Sequence, residues 1–161
     1  MNSGNVMNFK LLCLLSVLSL CLINTYAISY VSESNFIPAS DSKINYTGRI
    51  DKSNGGEFKF SSPGVYITAR FIGTSCEFDM AAEGSQNYIE IIVDNNIPQR
   101  ILVESTRKTY LAANGLANGE HTILICKDTE SGMGSLFFYG FRCDQLVELP
   151  LPTRKIECYG N

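Results

Sequence analysis

The sequence predicts an all-β domain, an antiparallel β-sandwich of jelly-roll type, preceded by a signal peptide. Three observations predict it. Beyond the N-terminal segment no long stretch sustains the 3.6-residue apolar period of an amphipathic helix. Short runs rich in β-branched and aromatic residues recur instead, roughly ten residues apart. Between them stand pairs such as Asn114-Gly115 and Asn118-Gly119, which favour turns.

The elements follow in order. Residues 1–27 carry the marks of a secretion signal. The 13-residue apolar run Leu11 to Ile23 follows Lys10 and leads into Thr25-Tyr26-Ala27, with small residues where signal peptidase prefers them. That run is too short to span a bilayer, which takes about 20 residues. Residues 28–148 are expected to form the sandwich. Glu57-Phe58-Lys59-Phe60 alternates polar with aromatic, and Val65 to Ile72 is rich in β-branched and aromatic side chains. A break is expected at Gly73-Thr74-Ser75, after which Cys76 to Met80 alternates again. Tyr88 to Val93 and Arg100 to Val103 suggest a hairpin around Asp94-Asn95-Asn96. Lys108 to Ala112, His121 to Lys127 and Leu136 to Cys143 complete the strands. Residues 149–161 differ in character. Leu149-Pro150-Leu151-Pro152 is extended and proline-bounded like a linker, and Arg154 to Asn161 resembles the first strand of a further domain.

Composition narrows the function. The sequence has 13 basic and 16 acidic residues, and loss of Lys10 with the signal leaves 12 against 16, a net charge of −4. Such a balance disfavours binding a phosphate backbone, so no nucleic-acid partner is expected, and no membrane association after signal cleavage. With 45% hydrophobic and 18% charged residues the chain can fill a core and is not of disordered type.

Four cysteines remain after the signal: Cys76, Cys126, Cys143 and Cys158. They allow three pairings, which spacing does not choose between. Each sits in an apolar run, where a free cysteine behaves as a small buried hydrophobe. No C-x-x-C pair occurs and there is a single histidine, so no metal or other cofactor is expected. Asn45-Tyr46-Thr47 is a sequon and marks Asn45 as a candidate N-glycosylation site.

Candidate sites within the chain are few. His121 is the only ordinary general base and is expected to play a structural role at the start of its strand. Lys127-Asp128-Thr129-Glu130 is a polar cluster at a strand end, expected to be a hydrogen-bonded turn. Asp94-Asn95-Asn96 lacks the spaced oxygen ligands of a calcium loop and is expected to be a turn. Glycans pack on exposed aromatic faces. Tryptophan is absent, and the tyrosines singled out as candidate glycan contacts are Tyr46, Tyr88, Tyr110 and Tyr139.

A series of short motifs then carries a family resemblance. Gly48-Arg49, Pro63-Gly64, Phe71-Ile72-Gly73-Thr74, Val93-Asp94, Tyr110-Leu111, Gly115-Leu116, Gly119-Glu120-His121-Thr122, Lys127-Asp128-Thr129-Glu130 and Gly140-Phe141 occur in order. With them the chain resembles, over about residues 46–161, the N-terminal part of carbohydrate esterase family 2. Those are secreted enzymes that remove O-acetyl groups from plant polysaccharides such as xylan, and in them a jelly roll precedes an SGNH-type hydrolase domain. The resemblance implies that the partner is a C-terminal hydrolase domain of the same polypeptide, with polysaccharide as its substrate. It places Gly160 and Asn161 in that domain's first block, beside an oxyanion site, with the nucleophilic serine due as the next residue. On this reading the chain is truncated before its nucleophile, has no catalytic residue of its own and should lack esterase activity. The alternative is a free-standing secreted β-sandwich that binds carbohydrate or acts as an adhesin.

Overall fold

The computed structural model describes residues 35–150. The signal expected over 1–27, Cys158, the strand expected from Arg154 and the pair Gly160 and Asn161 lie outside the described residues, as do Leu151 and Pro152 of the linker. In chain order the strands are β1 (Phe36–Pro38), β2 (Asn45–Thr47), β3 (Phe58–Phe60), β4 (Tyr66–Ala82) and β5 (Asn87–Val93). They continue as β6 (Gln99–Val103), β7 (Lys108–Lys127), β8 (Leu136–Arg142) and β9 (Gln145–Val147). Every ladder between them is antiparallel. Among the described residues the one helical element is a short 3-10 turn, Ser131–Met133.

The predicted β-sandwich is what forms, and two long strands build both of its sheets. The first half of β4 pairs with β2 and β9 on one edge and with the second half of β7 on the other, and β5 and β6 follow beyond β7. The second half of β4 pairs with the first half of β7 and with β8, beyond which lie β1 and β3. β4 changes sheets at Gly73–Cys76, where its register with β7 shifts twice.

This corner corrects the expected strand boundaries. Gly73-Thr74-Ser75 does not end a strand, because β4 runs through it as a bend. Nor do the two Asn-Gly pairs separate two strands. Ser75 faces Asn114 and Gly73 faces Gly119, so residues 115–118 loop out opposite Thr74 within one strand. A strand that must serve two sheets needs such bulges to turn. Gly73, with φ +140°, permits it, since a Cβ there would come within 2.8 Å of the Asp144 carboxylate. β1, β2 and β9 were not expected. Each has only three residues, and each is held by a strand distant in sequence.

Alternation sorts side chains into the core. Ile67, Ala69 and Phe71, then Cys76, Phe78 and Met80 face inward from β4, against Ile89 and Ile91 of β5 and Ile123 and Ile125 of β7. In β8 the register moves from Asp79↔Gly140 to Met80↔Phe138, leaving Tyr139 as an extra residue. The bulge lets Phe138 and Phe141 both face the core while Tyr139 and Arg142 both face outward. Gly140 makes it sterically allowed: at φ +151° a Cβ would sit 2.1 Å from the Ile37 carbonyl oxygen. The expected β5–β6 hairpin is present. Asp94 and Asn95 take φ 51° and 58°, and the Asn96 N–H donates to the Val93 carbonyl at 2.9 Å, the geometry of a type I′ turn.

Candidate functional site

The densest polar cluster stands on the outer face of the second sheet, where the β8 bulge aims its side chains. Asp79 points outward from β4, yet its residue is only 2% exposed. Arg107, in the turn before β7, donates to its Oδ2 from Nε at 3.2 Å and Nη2 at 2.7 Å. Arg142 donates from Nε to Oδ1 at 2.9 Å and from Nη2 to Oδ2 at 3.0 Å, and the Thr109 hydroxyl donates to Oδ1 at 2.8 Å. Burial alone would raise the carboxyl pKa. The hydrogen bonds from Arg142, Arg107 and Thr109 outweigh it and hold the group down at about 2.

Two aromatic rings complete the face. The Arg107 guanidinium lies 4.3 Å from the Tyr139 ring centre, and Phe36 of β1 has Arg142 at 5.1 Å and Arg107 at 5.4 Å. Phe36 is 41% exposed. Burial, followed by a hydrogen bond to Glu57, raises the Tyr139 phenol. The face is therefore a charge-paired, aromatic surface. Both cations are committed to Asp79, so neither acts as a free acid. None of Asp79, Arg107 or Arg142 was singled out by sequence reasoning. Gly140, inside an otherwise apolar aromatic run, was the available signal for a bulge that re-aims its neighbours.

The four candidate tyrosines divide into two pairs. Tyr110 is buried and stacks on Phe78, with its hydroxyl accepting from the Glu104 N–H at 2.7 Å. Tyr46 donates its hydroxyl to the Ala39 carbonyl at 2.7 Å and packs its ring against Phe58 and Phe138. The Tyr110 ring belongs to the core, and the half-buried Tyr46 ring packs at its margin. Tyr88 and Tyr139 remain half-exposed, each with an arginine on one face, Arg100 lying 3.8 Å from the Tyr88 ring centre. They do not share a surface, since Tyr88 belongs to the outer face of the first sheet. Asn45 lies on the edge strand β2, opposite Thr68 and on the outward face.

His121 is locked rather than poised. Its Nδ1 lies 2.5 Å from the Asp94 carboxylate and its Nε2 2.7 Å from the Ala117 carbonyl oxygen, in the looped-out segment. Both partners are acceptors, so the contacts favour the protonated ring. The Ala117 carbonyl first, then Asp94, raise the His121 pKa above its ordinary 6.5. Both ring nitrogens are engaged by acceptors of the domain itself. Asp94 also accepts from the Thr122 N–H at 2.8 Å, so the β5–β6 turn and the start of the second half of β7 are fastened together.

Lys127 is buried, and its ammonium donates to Thr129 O, Thr129 Oγ1 and Glu130 O at 2.7, 2.9 and 3.3 Å. Desolvation lowers its pKa. Asn87, also buried, donates to the Glu83 and Met133 carbonyls at 2.7 Å each and accepts from the Thr129 hydroxyl at 3.2 Å. The polar cluster at 127–130 is thus a hydrogen-bonded turn built around an internal cation. Among the described residues no three His, Cys, Asp or Glu side chains converge as a metal would need. Cys76 and Cys143 are buried, whereas Cys126 faces outward from the first sheet and is half-exposed, a correction to the expectation that all four are core residues.

The described residues thus form an all-β sandwich whose histidine is held by two acceptors and whose second sheet carries an outward face of arginines and aromatic rings. The carbohydrate esterase 2 N-terminal family matches residues 46–152, which begin in β2 and take in every later strand. The chain belongs to that family. It is 32% identical over 134 residues to the cellulase/esterase CelE of Acetivibrio thermocellus, covering 81% of this chain and 16% of that protein. An acetylxylan esterase / glucomannan deacetylase of Cellvibrio japonicus is 26% identical over 136 residues, covering 83% of this chain and 38% of its own length. A solved family two carbohydrate esterase from Clostridium thermocellum, in complex with cellohexaose, superposes with a TM-score of 0.64 at 32% identity, over 68% of this chain and 34% of that one. The chain thus spans well under half the length of these relatives and matches the N-terminal domain.

Proposed function

We propose that this chain is the non-catalytic N-terminal domain of a secreted carbohydrate O-acetylesterase that deacetylates xylan or a related plant polysaccharide. The observation that carries the proposal is the family match, which covers most of the sandwich while the esterase relatives are far longer than this chain. The locked state of His121 supports a non-catalytic role for the sandwich itself. Its work is to pack beside the hydrolase domain and shape one wall of the substrate cleft, and the ordered Asp79 face offers the rigidity such a wall needs. The test joins this chain to the hydrolase domain of the Cellvibrio japonicus relative in place of that enzyme's own N-terminal segment. The hybrid is expected to deacetylate acetylxylan faster than the bare hydrolase domain, while this chain alone gives no saturable hydrolysis of 4-nitrophenyl acetate. A hybrid no better than the bare domain, or saturable hydrolysis by the chain alone, refutes the proposal.

A further inference from the structure

We propose that Cys76 and Cys143 are disulfide partners, joined when the chain folds in the presence of a disulfide oxidant. Both residues are thiols in the structure. The β4–β8 ladder ends at Glu77↔Arg142, and the next step along the same register sets Cys76 opposite Cys143. The Cys143 N–H donates to the Asn35 carbonyl at 3.3 Å, toward β1. A strand residue turns its N–H and C=O to the same side, so Cys143 faces away from the β4 backbone. The position is therefore a non-hydrogen-bonded antiparallel pair, in which Cα atoms stand about 4.5 Å apart and side chains approach most closely. A disulfide asks for a Cα separation of about 4.4–6.8 Å.

Both side chains point into the core, at 0% and 1% exposure. The neighbouring Cys143 thiol, followed by burial, raises the Cys76 thiol, and the neighbouring Cys76 lowers Cys143. The exchange can begin at either thiolate, with the same stoichiometry. With oxidised glutathione as oxidant, the Cys143 thiolate attacks one glutathione sulfur, giving a mixed disulfide and one glutathione thiolate. The Cys76 thiol then loses its proton and displaces the second glutathione from the Cys143 sulfur. The protein pair is oxidised by two electrons, and one glutathione disulfide is reduced to two thiols. Burial closes this route once the sandwich has formed, so the bond is made during folding. Cys126 does not compete, because it stands on the outward face of β7 between Tyr66 and Glu90, across the first sheet from the core.

The bond would pin the bend where β4 crosses between sheets beside the β8–β9 kink. The test refolds the full 161-residue chain in mixed reduced and oxidised glutathione, then alkylates free thiols and maps peptides without reduction. The expected result is a Cys76 peptide linked to the Cys143 peptide, two hydrogens lighter than the pair of thiols. Reduction should lower the melting temperature by on the order of 10 °C. C126S should keep both the link and the shift, and C143S should lose both. Cys76 and Cys143 both recovered alkylated after refolding, or Cys76 linked to Cys126 or Cys158, would overturn the assignment.

Discussion

Replacing Asp79 by asparagine preserves shape and removes the charge on which two arginines converge. The magnitude follows by two routes. The folded carboxyl is held at about 2 against an ordinary 3.8, and each pH unit of such a gap is worth about 1.4 kcal/mol, so the ionised group contributes about 2.5 kcal/mol at neutral pH. Removing one partner of a fully buried ion pair costs about 3–5 kcal/mol. Here the arginine side chains keep 46% and 32% exposure against 4% for Asp79, so they regain water and the loss falls below that range. Asp79→Asn should therefore destabilise the domain by about 2–3 kcal/mol, read as a urea midpoint lower by roughly 1–2 M at constant slope. Because the folded pKa lies below the unfolded one, this stabilisation is complete above about pH 5 and disappears as pH falls toward 1. The parent should lose its margin over the variant across that window. A variant within about 0.5 kcal/mol of the parent at pH 7, or a margin that survives at pH 2, would refute the account of this site.

Further predictions test the other polar clusters and the order of assembly. The folded pKa of His121 is raised, so its contribution to stability is complete below about 6.5 and lost as pH climbs through the folded value. An NMR titration should give a midpoint above 6.5, and a midpoint at or below it would remove the Asp94 and Ala117 contacts from the argument. Lys127→Met should cost little in global stability, since burying the ammonium is itself unfavourable. It should nevertheless raise amide hydrogen exchange at Asp128, Met133 and Gly134 by about tenfold or more, and unchanged exchange there would mean the ammonium does not hold the turn. Ala112→Gly, near the short-range end of the β4–β7 ladder, should slow refolding, and Ile125→Val, near the far end, should mainly speed unfolding, as stopped-flow measurements of both arms would show. The reverse assignment would refute the order of assembly described below.

The strands that alternate over five or more residues were legible because period 2 is written directly in their side chains, as in Asn87 to Val93. The short strands β1, β2 and β9 were not legible, since they are fixed by the long-range partners Arg142, Thr68 and Arg70. Gly73 and the two Asn-Gly pairs were recognised as interruptions, but local sequence does not distinguish a chain that turns back from one that bends onward into a second sheet. That choice belongs to the ladder with β7. The outward face was hidden for a related reason. Asp79, Thr109, Arg107 and Arg142 are far apart in sequence, and their convergence depends on the one-residue bulge beside Gly140. Of the tyrosines, Tyr110 looked available because nothing in its own strand announces that Phe78 will stack on it.

The long β4–β7 ladder also sets how the chain can assemble. Its near end joins Met80 to Lys108, 28 positions apart, and its far end joins Tyr66 to Cys126, 60 positions apart. Closing the wider loop first would sacrifice more chain entropy than closing the narrower one. The local β5–β6 hairpin lies inside both loops, and the Ala82 N–H reaches the Glu104 carbonyl just beyond it. Hairpin formation thus brings the near end of the ladder together, and pairing can then run outward past the corner to Tyr66. Because each long strand passes through both sheets, neither sheet has a separate nucleus, and the sandwich closes in one directional event with the millisecond-to-second timescale of non-local β pairing.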